Sequence, residues 1–375
     1  MTFAALQPLK SWVRKFLEKH PYGVKLVSLL RPHFSGGSNN KNRAEKREAA
    51  RILRGLREGK IKTVLIVYDN LVSPPTYGDY LYVLMLARFF TSQDIYVGVV
   101  IVDREYRQDW SVVNEDDRDG FVAGHVKIAS LLLDPELATI EVLTSPQLQA
   151  RIRSGLDSGA YIPFRENVIN RRPIYCHAAN TLNRLCFESS PGHLNRFLLS
   201  FDELAGKVEF KTPAQPYITW SCRYSTKWGF RRNTSDEEFL PIYERLKYLY
   251  PNHAIMVVSD AVGCNHFKEI AKLHGLNCLF SKDYSDTLMG DGALILGSAY
   301  FFMLRGGGIS CFAMFSRIPY ELVIYLSNET EWRKGRLFSW ASGSQILRLA
   351  DQTESPWPTL GATSAQSERA ESVVV

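Results

Sequence analysis

The sequence holds little that would announce a metal, a membrane span or a nucleic-acid groove. Its six cysteines are Cys176, Cys186, Cys222, Cys264, Cys278 and Cys311. They are widely spaced and form no CxxC pair or Cys/His cluster. That excludes a structural zinc site and points to reduced thiols in the core of a cytoplasmic protein. No apolar run is long enough to cross a bilayer. The amino terminus lacks a secretory pattern, because Leu6–Leu9 is too short for an apolar core and no small-residue cleavage site follows. No block of repeated Lys or Arg occurs, and the net charge of +6 is modest for 375 residues. A dedicated nucleic-acid binder is therefore not expected, although anionic partners in general are favoured. The G-x-G-x-x-G and P-loop spacings are also missing, and no D-x-D pair stands at the end of an expected strand. No dinucleotide or ATP motif, bound metal or cofactor is thus read from the sequence.

What is present is α/β alternation. Composition is that of a globular protein, 45% hydrophobic and 22% charged, and the length calls for two domains. The basic, aromatic-bearing segment KSWVRKFLEKHPYGVKLVSLLRPHF reads as an amphipathic helix. It would either lie peripherally on the anionic inner face of a membrane or pack its Trp12, Phe16 and Leu17 stripe on the protein. With the linker SGGSNNKNR it makes up residues 1–43. Residues 44–215 then read as an amino-terminal α/β domain facing the acceptor. They hold a charged helix, the strand KTVLIVYDN, a loop SPPTYGD, the apolar helix YLYVLMLARFF, the strand IYVGVVIVD, the helix VAGHVKIASLLL and the strand TIEVLT. Residues 216–350 repeat the logic as a second, donor-binding domain: strands at Tyr217–Cys222, AIMVVSD, LNCLFS, SAYFFML and a last one in IPYELVIYL. Ser235 and Glu238 spell a capping box, and Gly275 reads as a helix C-cap. Residues 351–375 are polar and read as a disordered tail. The expected architecture is two Rossmann-like α/β domains with a cleft between them.

In open parallel sheets, ligands bind beyond the carboxyl ends of the strands, and the unusual residues of the second half fall there. PYITWSCRYSTKWGFRRN places Arg223, then Lys227, Arg231 and Arg232, off the end of one buried strand. Three readings fit: a solvated basic loop, a nucleic-acid patch, or a pocket for a phosphorylated ligand. Arg223 stands nearest the strand tip, where a guanidinium can hold a diphosphate by two parallel hydrogen bonds and stabilise a leaving group. Ser259 and Asp260 end the next strand, where a carboxylate can take hydroxyl or ring N–H bonds from a nucleoside, or serve as a helix N-terminal residue. Arg305, Gly306, Gly307, Gly308 and Ser310 form a turn that lets backbone approach a ligand, or that only requires positive φ. In the first half, Gly78 could admit a donor, Asp79 could act as a base or cap the helix, and Asp69 at a strand tip could face an acceptor.

The succession of strand and arginine loop, F-L-P-I-Y-E-R-L helix, V-V-S-D, and D-G-A-L-I-L-G-S-A-Y-F-F-M-L-R-G-G-G-I-S-C-F-A resembles the carboxyl-terminal half of the fucosyltransferase superfamily. That superfamily comprises the α1,6-, α1,2- and protein O-fucosyltransferases, and the likeness runs over residues 216–326. The resemblance implies a GT-B fold and GDP-fucose bound mainly by the second domain. It also implies an arginine on the β-phosphate at Arg223, an acidic nucleoside contact at Ser259–Asp260 and a final turn at Gly306–Ser310. Where the family carries a histidine two residues before the arginine, this chain has Ser221.

The resulting expectation is an inverting, metal-independent glycosyltransferase. It would move a sugar from a nucleotide-diphosphate sugar to a glycan or glycolipid acceptor, with Arg223 and Asp79 as its catalytic residues. Two alternatives are a polysaccharide pyruvyl transferase, whose donor is phosphoenolpyruvate, and a non-catalytic sugar- or nucleotide-binding module.

Overall fold

The structure is a computed structural model. It describes residues 54–69, 77–102, 118–157, 162–164, 196–224, 233–305, 307–325 and 345–349, with isolated positions 50, 52, 182, 185 and 186. The amino-terminal segment and linker, residues 165–173 and the tail from residue 351 lie outside these. The chain divides into two compact units, Met1–Arg57 and Glu58–Val375, and both sheets belong to the second.

The first sheet has four parallel strands in the order β3-β2-β1-β4. Its strands are β1 (Thr63–Asp69), β2 (Tyr96–Val102), β3 (Ala138–Leu143) and β4 (Ile162–Phe164). The β-branched runs TVLIVYD and YVGVVIV form its centre, and Val64 to Tyr68 and Val97 to Val102 are all buried. Side chains on both faces of a parallel sheet are covered by crossover helices, which is why these strands show no polar alternation.

Those crossovers are α1 (Tyr77–Thr91), α2 (Arg118–Leu132) and α3 (Ser145–Asp157). Helix α1 is apolar all round and buried almost all round, as an interior helix must be. It begins earlier than its sequence indicates. Tyr77, Gly78 and Asp79, expected in a loop, form its first turn. The reason is tertiary: Tyr77 stacks on Phe121 of α2 with ring centroids 4.7 Å apart and planes 10° from parallel.

The second sheet has six parallel strands, β5 (Tyr217–Ser221), β6 (Ala254–Val258), β7 (Cys278–Phe280), β8 (Phe301–Leu304), β9 (Tyr320–Tyr325) and β10 (Gln345–Leu349). Their order is β10-β9-β8-β5-β6-β7. Counted from β5, this is the strand order of the doubly wound Rossmann sheet, whose direction of winding reverses between its first and fourth strands. Here that switch point lies between β5 and β8. Strand β10 is an addition to the sequence reading, which ended the domain's strands at β9. QILRL is a short run at a sheet edge, and one paired side leaves it less apolar than a central strand.

The α-helices of this half among the described residues are α4 (Phe201–Ala205), α5 (Asp236–Leu249), α6 (Ala261–Leu273), α7 (Leu288–Leu296) and α8 (Ser310–Met314). One face of the sheet buries Ile218, Trp220, Val257 and Phe302 against Phe239, Ile242 and Leu246 of α5 and Phe267 of α6. Phe239 and Phe267 stack with centroids 5.1 Å apart. The other face receives α7, where Tyr217 Oη donates to Leu294 O at 2.9 Å. The sequence signals for helix ends hold. Glu238 Oε2 accepts Ser235 N–H at 2.9 Å, and Gly275 follows α6 in the left-handed region at φ 62°.

A buried cation ties the two halves together. Arg88, in the last turn of α1, donates to Phe197 O at 3.0 Å and Leu132 O at 2.6 Å. It also makes a two-pronged pair with Glu203 of α4 at 2.6 and 2.9 Å. Every prong of the fork meets an acceptor, which is what permits a guanidinium to be buried.

Candidate functional site

The carboxyl edge of the second sheet carries Arg223, Ser259, Asp260 and Arg305 at its strand ends. Ser221 of β5 pairs with Met303 of β8, so the chain leaves the sheet at corresponding positions, at Arg223 on one strand and Arg305 on the other. Arg223 is half-buried, and its carbonyl accepts Thr234 N–H at 2.9 Å. That bond closes the neck of the basic loop, so its excursion begins and ends beside the switch point. Lys227, Arg231 and Arg232 lie outside the described residues, as does Gly306.

Arg305 sits in the left-handed region at φ 65°, a conformation uncommon for any residue but glycine, asparagine or aspartate. Its side chain turns back to the start of α5. Nη1 donates to Asn233 O at 2.7 Å and to Glu238 Oε2 at 2.9 Å, while Nη2 pairs with Glu238 Oε1. Only 10% of the Arg305 side chain and 22% of that of Glu238 is exposed. Arg305, read from sequence as a donor contact, is thus engaged by protein groups.

The glycine turn that follows is closed in a different way. A Cβ built on Gly78 would lie 2.5 Å from the Cα of Gly308, and one built on Gly308 would meet the Gly78 backbone. The absence of a side chain at both positions is accounted for by two backbones in contact, where the sequence reading placed a donor phosphate. Gly307 faces Met303 Cε, 2.7 Å from where its Cβ would stand. Ser310 is buried and its hydroxyl donates to Gly307 O at 2.6 Å. Helix α8 has five residues, so the aligned-dipole argument for phosphate at its start loses most of its force.

Ser259 and Asp260 leave β6 on the same edge. Asp260 is exposed and caps α6, with Oδ1 accepting Gly263 N–H at 2.7 Å. Of the two sequence readings, the helix-terminal role is the one its contacts display. Ser259 is half-buried, and its carbonyl accepts from Ser281 Oγ at 3.5 Å. In the first sheet Asp69 ends β1 in register with Val102, and Asp79 lies in the first turn of α1; their side chains are outside the description.

No family model matches the chain, and no curated protein matches it. Solved structures with which it aligns include a glycosyl transferase family 9 protein from Veillonella parvula, at 8% identity and a TM-score of 0.43 over 76% of this chain and 86% of that one. Others are the E. coli ADP-heptose LPS heptosyltransferase II (11% identity, TM-score 0.39, 76% and 90% covered) and S. aureus MnaA with UDP (11%, 0.31, 70% and 79%). Likenesses this loose place no residue of the site.

Two features of these strand ends were not found from sequence. Asp291, in the first turns of α7, is 5% exposed and receives Lys282 Nζ at 2.6 Å. Burial pushes its carboxyl up to about 6, partly countered by the Lys282 ammonium and the Ser281 hydroxyl, while the charge of Asp260 raises it further. The D-G-A-L-I-L run conceals this, because an aspartate at a helix start reads as a solvated residue. His125 of α2 is fully buried among Tyr68, Tyr77, Tyr80 and Phe121, with ring centroids 4.3 to 5.3 Å away. It lies beneath the start of α1, and VAGHVK gives no sign of it because its four partners come from three separate elements. Among the described residues no group of three or more His, Cys, Asp or Glu is placed to hold a metal. None of the described helices is long and apolar enough to cross a membrane.

Proposed function

We propose that the chain is a glycosyltransferase of GT-B-like architecture, using a nucleotide-diphosphate sugar bound at the switch point of the second sheet. The supporting observation is the position of Arg223, half-buried at the tip of β5, next to β8 across the switch point and at the neck of a loop that carries three further cations. Open α/β sheets bind ligands at such crevices. A planar guanidinium held there matches a diphosphate oxygen pair and offsets the charge that grows on the leaving group as the sugar bond breaks.

In this reading Arg223 binds the diphosphate and Lys227, Arg231 and Arg232 add to the local field. Ser259 and the unshared oxygen of Asp260 face the nucleoside, and residues near Asp69 and Asp79 face a glycan or glycolipid acceptor. GDP-fucose is the first donor to test, on the resemblance over residues 216–326. Transfer would be inverting, with the arginine supplying the positive charge that a metal supplies in other designs. The amino-terminal segment would bring the protein to an anionic membrane surface. The experiment is a thermal-shift screen against GDP-, UDP-, ADP- and dTDP-sugars, followed by turnover assays with each ligand that raises the melting temperature. A stabilising donor whose sugar is transferred or hydrolysed, with that activity lost in Arg223→Ala, supports the proposal. Stabilisation by phosphoenolpyruvate alone, or no stabilisation by any donor, overturns it.

A further inference from the structure

Arg305, Glu238 and the neck of the basic loop form one mechanical unit. The loop leaves β5 at Arg223 and returns at Thr234, whose N–H bonds Arg223 O at 2.9 Å. The next residue, Ser235, gives its N–H to Glu238 Oε2, the same oxygen that takes Arg305 Nη1 at 2.9 Å. Asn233 O accepts from Arg305 as well, at 2.7 Å. Arg305 N in turn donates to Val323 O at 2.7 Å, fixing its backbone to β9. One arginine therefore grips two residues of the loop's exit on either side of Thr234: Asn233 directly, and Ser235 through a carboxylate shared with the helix cap. Its own backbone is held in the left-handed region where a β-carbon is disfavoured. A residue kept there by its neighbours is over-determined, and its two guanidinium contacts, Asn233 O and Glu238, bear on the loop's exit.

From these contacts we infer that Arg305 and Glu238 are positioning residues that, through Asn233, Thr234 and Ser235, set Arg223 for an anionic ligand. The inference rests on the reading of Arg223 as the diphosphate ligand. Arg305 does not touch the ligand: its Nη atoms are spent on Glu238 and Asn233. The pair holds the exit of the loop, Thr234 holds the entry, and the guanidinium of Arg223 is thereby kept at the strand tip. A bidentate contact loses most of its value when its partner must be ordered on binding, because that entropy is then charged against affinity.

The test is a double-mutant cycle read by calorimetric titration with the tightest binder among GDP, UDP, ADP and dTDP. Glu238→Gln keeps an oxygen for the helix cap, since glutamine also serves in a capping box, but removes the charge that orients Arg305. In the native background it is expected to weaken nucleotide affinity about tenfold, the size of an ordinary coupling between sites. In an Arg223→Ala background it is expected to change affinity little, because the group it positions is gone. Equal losses in both backgrounds, or no loss in the native one, overturn the inference while leaving the Arg223 reading intact. An Arg223→Ala variant that binds as the native protein does overturns both. Circular dichroism monitors folding, and if Glu238→Gln fails to fold, Arg305→Lys, which keeps a charge but loses the fork, takes its place in the cycle.

Discussion

Gly78 and Gly308 pack backbone against backbone: a Cβ on the first would lie 2.5 Å from the Cα of the second. One glycine opens α1 at the carboxyl edge of the first sheet, and the other follows β8 at the carboxyl edge of the second. Neither has room for a methyl group, and the obstacle is main chain, which cannot swing aside as a side-chain end can. This contact brings the start of α1 against the turn after β8.

Gly308→Ala and Gly78→Ala are each expected to destabilise the protein by about 1–3 kcal/mol, as overpacking does elsewhere. Gly120, exposed in the first turn of α2 with nothing within 4 Å of a built Cβ, provides the contrast. Gly120→Ala is expected to be neutral or to stabilise by a few tenths to about 1 kcal/mol, the helix-propensity difference. Urea unfolding of the three variants measures this; a Gly308→Ala protein as stable as Gly120→Ala would mean the backbones separate freely.

Replacing Arg88 by alanine removes a fork that meets the carbonyls of Phe197 and Leu132 and the carboxylate of Glu203. The expected loss is about 3 kcal/mol or more, because the acceptors are left buried without donors. Glu203→Gln should cost less, about 1 kcal/mol, since its side chain is 32% exposed and the two carbonyls keep their donors. Denaturant midpoints of the two variants test the ranking, and the opposite order would contradict it.

The Asp291 carboxyl, pushed up to about 6 by burial, ties stability to pH. A native state that holds this proton more tightly than the unfolded chain gains stability below the unfolded carboxyl range. It loses that stability as pH rises through about 6, and gains or loses nothing further above it. The span corresponds to at most about 3 kcal/mol. Asp291→Asn should flatten the dependence between pH 4 and 7. Unfolding curves across that range, native against variant, provide the check, and parallel pH profiles would show that Asp291 does not titrate there.

Arg223→Lys retains a cation at the tip of β5 but loses the planar fork. If the arginine grips a diphosphate in two places, turnover with the best donor should fall nearly as far as in Arg223→Ala, a loss of about 2–4 kcal/mol of transition-state stabilisation. Lys227→Ala, Arg231→Ala and Arg232→Ala should each cost less. Full activity in Arg223→Lys, or a greater loss in Arg231→Ala, would move the phosphate contact elsewhere on the loop.

The sequence by itself determined the succession of elements, because that information is local. Apolar, β-branched runs such as TVLIVYD and AIMVV form buried strands wherever they stand, and the S-D-E-E spelling and Gly275 mark helix ends through bonds spanning a few residues. Strand-end placement of Arg223, Asp260 and Arg305 followed from the same reading. Only the tertiary structure decided what those residues touch. The order β7-β6-β5-β8-β9-β10 makes β5 and β8 neighbours although the paired positions Ser221 and Met303 lie 82 residues apart in the chain, and no periodicity encodes such a pairing. The same holds for Gly78 on Gly308, for Arg305 on Glu238, and for the burial of Asp291 against Lys282. A glycine or an aspartate presents the same letter whether it lines a pocket, caps a helix or fills a contact; which of these it does depends on chain that arrives from elsewhere.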